Sequence, residues 1–186
     1  MKTKYPRATV LPVAERLVEL LRPVTERIEI CGSLRRGKPE VSDVEILYCP
    51  KIIQIADGLF GTQLFDVTND KLDNLLREGV IAKRPNVRGH FAWGKLNKLG
   101  IDVATGIPCD FFCEPDPLDW FRSLVIRTGS AEFNERMLGT AKKNGVGAHA
   151  YGMGLEKGGT RIPVHSEQEF IEKCGVKFLL PYQRNM

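Results

Sequence analysis

The stretch EICGSLRRGKPEVSDVEILYCP, residues 29–50, decides the fold. It runs from an apolar strand into Gly32-Ser33, two arginines and a turn-rich loop, and leaves on a second apolar strand that carries Asp43 and Glu45. Side chains alternate along a strand, so these two acids share one face. Carboxylates on a half-buried face are expensive unless their charge is satisfied, and a shared divalent cation satisfies both at once. Gly32 lets the backbone approach a ligand closely, and Ser33 offers a hydroxyl at the turn that follows. Of Arg35 and Arg36, only one can face the same ligand from a short helical turn. Together these features describe a triphosphate cradle beside an Asp-x-Glu pair suited to magnesium. A third carboxylate would complete a two-metal site, and Asp102 in GIDVA and Asp110 in PCDFFC are both acids set in apolar strands. Pattern alone does not separate them.

Outward from this stretch, the 186 residues are 42% hydrophobic and 27% charged, which fits one globular domain, or a domain with a small appendage. The net charge of +4 is mild. It is unevenly spread: residues 77–98 hold Arg77, Lys83, Arg84, Arg88, Lys95 and Lys98 against the single acid Glu78. That local excess points to an anionic partner. No apolar run reaches the length of a membrane span, and MKTKYPRATV has no apolar signal core, so a cytoplasmic protein without membrane contact is expected. Five cysteines, without a CxxC pair, read as reduced, mostly buried thiols.

Apolar spacing predicts a helix over 13–21 ended by Pro23, strands near 28–31 and 43–48, and a short helix over 71–77 capped by Asn69 or Asp70. Strands are expected at 80–84, 88–94, 98–104 and 108–113, with 51–63 left unassigned. EPDPLD at 114–119 marks the subdomain boundary. Ser130 caps a helix over 131–143, Ser166 and Glu169 form a capping box for 167–173, and Gly158-Gly159 turns a hairpin between these helices. The expected class is α+β: a mixed sheet backed by helices over 1–117, and a small C-terminal α/β subdomain over 118–186.

GSLRRGKPEVSDVEIL resembles the palm signature of the DNA polymerase beta superfamily, and LVIRTGSAEFNERMLGTAKKNG resembles the segment that opens the C-terminal subdomain of its family X members. The tail SEQEFIEKCGVKFLLPYQR is similar to the end of the same family. The resemblance implies a nucleotidyltransferase palm and a minimal DNA polymerase of the repair type, since no segment resembles a lyase domain or a helix-hairpin-helix DNA clamp. It further implies that Asp43, Glu45 and Asp110 are the catalytic, metal-binding carboxylates for two Mg2+ ions, with Mn2+ able to substitute. Asp110 is preferred to Asp102 by its distance from Thr128-Gly129-Ser130. Gly32, Ser33, Arg36, Ser42, Gly129 and Asn134 are implied to bind the nucleoside triphosphate. Lys83, Arg84 and Arg88 are expected to bind DNA, and the chain to act as a monomer.

Four positions depart from the family pattern. Glu45 stands where replicative relatives usually carry Asp, Ile126-Arg127 replaces an aromatic pair under the sugar, and Pro108 stands near an Arg that would steady the third acid. Two other functions compete: nucleotidyl transfer to RNA, a small molecule or a protein hydroxyl, and a non-catalytic nucleic-acid-binding module.

Overall fold

The structure is a computed structural model that describes residues 3–58 and 61–185. In chain order the elements are β1 (Tyr5–Pro6), α1 (Arg7–Leu21), β2 (Thr25–Ile30), α2 (Gly32–Arg35), β3 (Glu40–Val41), β4 (Val44–Pro50), β5 (Ile52–Asp57), β6 (Gly61–Asp66) and α3 (Val67–Arg77). They continue with β7 (Ile81–Lys83), β8 (Asn97–Asp102), β9 (Pro108–Cys113), α4 (Trp120–Thr128), α5 (Ala131–Lys143), β10 (Gly147–Ala148), β11 (Leu155–Lys157), β12 (Thr160–Arg161) and α6 (Glu167–Lys173).

Five strands form the central sheet in the order β2-β4-β9-β8-β7. Only β4 and β9 run parallel, so the sheet is mixed. Alternation along β4 divides its side chains between two environments. Val44, Ile46 and Tyr48 join Val10, Val13, Leu17 and Leu21 of α1 and Leu72 and Leu75 of α3 in one core. Leu47 and Cys49 face the other way, where Phe112 of β9 and Trp120 and Leu124 of α4 cover them. Glu45 lies on this second face, near Arg127 at the C-terminal end of α4.

Val125 of α4 belongs to a third cluster with Phe133 and Met137 of α5, Leu155 of β11, and Phe170 and Ile171 of α6. Thus α4 closes the sheet on one side and roots the C-terminal subdomain on the other. The sequence reading missed this helix. Trp120, Arg122, Ser123, Leu124, Val125 and Thr128 are all buried, so no polar stripe exists to betray a helical period.

The mixed α/β class and the helix over 131–143 agree with expectation, including the Ser130 hydroxyl that accepts from Phe133 N at 3.1 Å. Gly158 and Gly159 both have positive φ and turn the expected hairpin. Five details differ. Helix α1 begins at Arg7 and runs through Pro12, because burying Val10 extends its apolar stripe. Helix α3 is capped by Asp66, which accepts from Asn69 N at 2.8 Å, so Asn69 and Asp70 lie inside the helix. Residues 88–94 form a loop held by isolated bridges at Pro85–Phe91 and Trp93–Lys98. The unassigned 51–63 forms a hairpin arm of β5 and β6, with Leu59 and Phe60 outside the described residues. At α6 the Ser166 cap forms, but the Glu169 carboxylate takes the His165 N–H at 2.6 Å. All five cysteines are free thiols, and no helix among the described residues is long and apolar enough to cross a membrane.

Candidate active site

The parallel β4–β9 register sets Glu45 directly beside Asp110. Asp43 precedes β4 by one residue and lies two positions from Glu45, so it follows the same face. Burial pushes the Glu45 carboxyl up to about 7; Asp43 and then Asp110 push it the same way, while Arg127 and Arg36 oppose them. Glu45 therefore feels both neighbouring acids, which places three carboxylates at one corner of the sheet.

Backbone geometry presses the opening motif onto these acids. Cys31 N donates to the Glu45 carbonyl at 2.7 Å, tying the end of β2 to β4. Gly32 then takes φ +62°, and a Cβ there would stand 1.7 Å from Glu45 Oε2. Only glycine satisfies both demands. Leu34, almost wholly buried, anchors the short turn α2 in the core and leaves Ser33 and Arg36 at the rim. Ser42 borders the site from the other side, lining a cavity of about 140 Å³ with Thr3, Tyr5, Asp43, Arg84 and Pro108.

Asp102 has a different role. It is fully buried, pairs with Arg16 of α1 and accepts from Thr105 Oγ1 at 2.6 Å, closing the β8–β9 turn. Its neighbours across the sheet belong to the α1 side. Among the two candidates, the structure brings only Asp110 to Glu45.

Both arginines of the opening motif reach the C-terminal subdomain. Arg36 donates to the Thr128 carbonyl at 2.5 Å and to Asn185 Oδ1 at 2.8 Å. Arg35 donates to Thr128 Oγ1 at 2.8 Å and grips Glu167 at 2.5 and 3.0 Å. The fully buried Arg184 donates to the same Glu167 at 2.7 Å. Burial pushes the Glu167 carboxyl up, but the hydrogen bonds from Arg35 and Arg184 outweigh it and hold the group below the usual carboxylate range.

Gly129 and Asn134 meet at the same junction. A Cβ on Gly129 would lie 2.3 Å from Asn134 Oδ1, so the glycine makes room for the asparagine. Asn134 Nδ2 donates to the Ile126 carbonyl at 2.8 Å, while its buried Oδ1 has no hydrogen-bond partner. Arg127 stacks 3.6 Å from the centroid of Phe112 and borders a cavity of about 380 Å³ with Leu47, Ile126 and Tyr151. Leu47 and Phe112 lie two residues beyond Glu45 and Asp110, so this cavity continues from the acids along the same sheet face.

The basic stretch is divided by the fold. Lys83, Arg88 and Lys95 are exposed, beside the exposed Val87 and Phe91. Lys98 is buried and donates to the Gly94 carbonyl at 2.7 Å. Arg84 turns inward, with Nη2 at 2.6 Å from both Asp110 oxygens. Sequence reasoning found the acids and the Gly-Ser-x-Arg-Arg turn but gave no role to Glu167, Arg184 or the contact between Arg84 and Asp110. Each of these joins residues far apart in the chain and leaves no local pattern.

The donors fit magnesium in kind, being carboxylates gathered at one corner of the sheet. Among the described residues, no three acidic, histidine or cysteine side chains already stand as a closed metal-binding set. Residues 123–185 match the family model of the DNA polymerase beta thumb. The match begins within α4, runs through α5, the β10–β12 sheet and α6, and supports the family X resemblance over the C-terminal third of the chain.

Proposed function

We propose that this chain is a minimal nucleotidyltransferase of the family X type that adds a nucleotide from a dNTP to the 3′-hydroxyl of a DNA primer. The observation that carries this reading is the cross-strand pair of Glu45 and Asp110, with Asp43 beside it, at the junction with a segment that matches a polymerase thumb. Asp43, Glu45 and Asp110 would hold two Mg2+ ions, or Mn2+ in their place. When bound, these supply charge neutralisation at the leaving pyrophosphate and lower the pKa of the attacking hydroxyl.

The chain's own residues do the rest. Ser33 and Ser42 flank the acids and offer hydroxyls to the β and γ phosphates. Arg36 exchanges its thumb acceptors for phosphate oxygens, which makes stronger, charge-assisted hydrogen bonds. Asn134 Oδ1, buried without a partner, accepts a donor from the edge of the new base. Gly129 would lie beneath the sugar, and Asp110 would act as the base toward the primer hydroxyl, as the family resemblance implies.

A primer-extension assay on gapped, recessed and single-stranded DNA, with dNTPs or NTPs under Mg2+ or Mn2+, tests the reading. Incorporation that Asp43→Asn removes is expected. Failure on every DNA would sink the DNA reading in favour of transfer to RNA, a small molecule or a protein hydroxyl.

Two further results are expected. Arg36→Ala should weaken dNTP binding about tenfold or more in titrations, as loss of a charge-assisted contact does. Arg35→Ala should mainly lower the melting temperature, because its partners are Thr128 and Glu167. Equal losses of nucleotide affinity in the two variants would contradict this division. DNA binding should be strongly salt-dependent, with the exposed Lys83, Arg88 and Lys95 on the phosphates. Replacing all three by Ala should flatten the log–log salt slope by roughly two to three units, at about 0.9 per phosphate contact. Anisotropy across a salt series reads this, and an unchanged slope would return the loop to an ordinary solvated surface.

A further inference from the structure

We propose that the tip of the β7–β8 loop, from Val87 to Phe91, is a contact for unpaired nucleobases, with the Phe91 ring as its stacking surface. The inference rests on the DNA reading of this loop's cations above.

The loop is built to hold its shape. Near its start Arg84 N donates to the Leu99 carbonyl at 3.1 Å, and near its end the Leu96 carbonyl accepts from Cys113 N at 2.9 Å, so both stems are tied to the central sheet. Leu99 pairs with Asp110, and the loop therefore leaves the sheet from the row that holds the acids. Pro85 and Phe91 form an antiparallel bridge below the tip. Asn86 closes the turn between them. Its N–H donates to the His90 carbonyl at 2.8 Å and its carbonyl accepts from Gly89 N at 3.0 Å. Its side-chain Oδ1 accepts from Arg88 N at 2.8 Å and from His90 N at 3.1 Å. An asparagine that bonds the backbone just ahead of it stands in for a backbone turn, and Gly89 supplies the positive φ, +81°, that completes it.

The side chains so presented have no cover from the described residues. Val87 is 95% exposed and Phe91 64%. Exposed apolar groups on a rigid surface with a polar rim mark a contact site, and a preformed shape lowers the ordering cost of binding. Charge selects the partner. From Gly79 to Ile101 the sequence contains no acid, and Lys83, Arg88 and Lys95 are exposed on the loop and its stem. The partner must therefore offer anionic groups and flat apolar faces within the reach of one loop. Single-stranded nucleic acid does so, because phosphates and unstacked bases alternate along it, and an aromatic ring among cations accepts the face of any base. A continuous duplex hides those faces in its stack, so the tip favours a frayed, gapped or single-stranded segment.

The test is fluorescence anisotropy of the full chain with an oligothymidylate and with an abasic oligonucleotide of the same length, which keeps every phosphate and lacks every base. The unmodified protein should bind the oligothymidylate about tenfold more tightly, the scale of one good contact between a base and an aromatic ring. Phe91→Ser should remove most of that preference by weakening the oligothymidylate alone, and it should leave both salt slopes unchanged, because no phosphate contact is lost. Phe91→Tyr keeps the ring and should keep the preference. Equal affinity for the two oligonucleotides, or a preference that survives Phe91→Ser, overturns the base contact and leaves the salt slopes to decide the role of the cations. Failure of both oligonucleotides to bind overturns the DNA reading of the loop, and the inference with it. Binding to phosphatidylserine vesicles that Phe91→Ser abolishes, with no preference between the oligonucleotides, overturns the inference in favour of an anionic lipid surface.

Discussion

Asp110→Asn is expected to lower nucleotide transfer by a thousandfold or more, since loss of a charged ligand removes several kcal/mol of transition-state stabilisation, at about 1.4 kcal/mol per tenfold. Asparagine keeps the shape of the side chain and removes its charge. Asp43→Asn should act alike, as it lies on the same face beside Glu45. Single-turnover primer extension measures the loss, and circular dichroism checks that the fold persists. Asp102→Asn is the informative contrast. Asp102 is fully buried against Arg16 and Thr105, so its neutral variant should lose about 1–3 kcal/mol of stability while its folded fraction keeps normal transfer. A normally active Asp110→Asn beside an inactive but folded Asp102→Asn would overturn the assignment of the third acid.

The largest expected effect on stability belongs to Glu167. It receives Arg35 from the turn beside the acids and the buried Arg184 from the C-terminus, so one carboxylate neutralises two cations where the opening motif meets the C-terminal segment. Glu167→Gln leaves both without their counter-charge and should cost about 3 kcal/mol, the usual scale for breaking a buried pair. Urea denaturation at neutral pH reads this. The pH dependence has a definite sign. The folded carboxyl is held below its ordinary value, so its contribution is complete above about pH 4.5 and is lost as pH falls through the folded value. Acidification should therefore erase much of the difference between the two proteins. A difference that grows on acidification would contradict the network, and an unaltered neutral stability would show that Glu167 holds nothing together.

The same junction joins the acidic corner to the C-terminal segment. Arg35 and Arg36 lie in one short turn, yet the first braces the subdomain through Glu167 while the second touches the Thr128 carbonyl and Asn185 beside the acids. Adjacent arginines in a four-residue helical turn cannot share a direction, and the structure divides them between bracing and the site rim.

Residues 29–50 by themselves carried the strand-turn-strand unit, because Gly32, the apolar strands and the Asp-x-Glu alternation are local features with local physical causes. The caps at Ser130 and Ser166 and the Gly158-Gly159 turn were legible for the same reason: each is a bond or dihedral within a few residues. The residue pattern left Asp102 and Asp110 equal and only the family resemblance favoured Asp110; tertiary structure shows that it is Asp110 that lies beside Glu45. Both sit in apolar strands, and only the β4–β9 register reveals which one meets Glu45. It also decided that α4 is a helix, since burial on all sides erases the polar stripe from which a helix is read. It turned Arg84 inward from a basic run that otherwise reads as surface, and it gathered Arg35, Glu167 and Arg184 from three distant parts of the chain. Pairing across a sheet and between subdomains depends on register and packing, and neither leaves a period in the sequence.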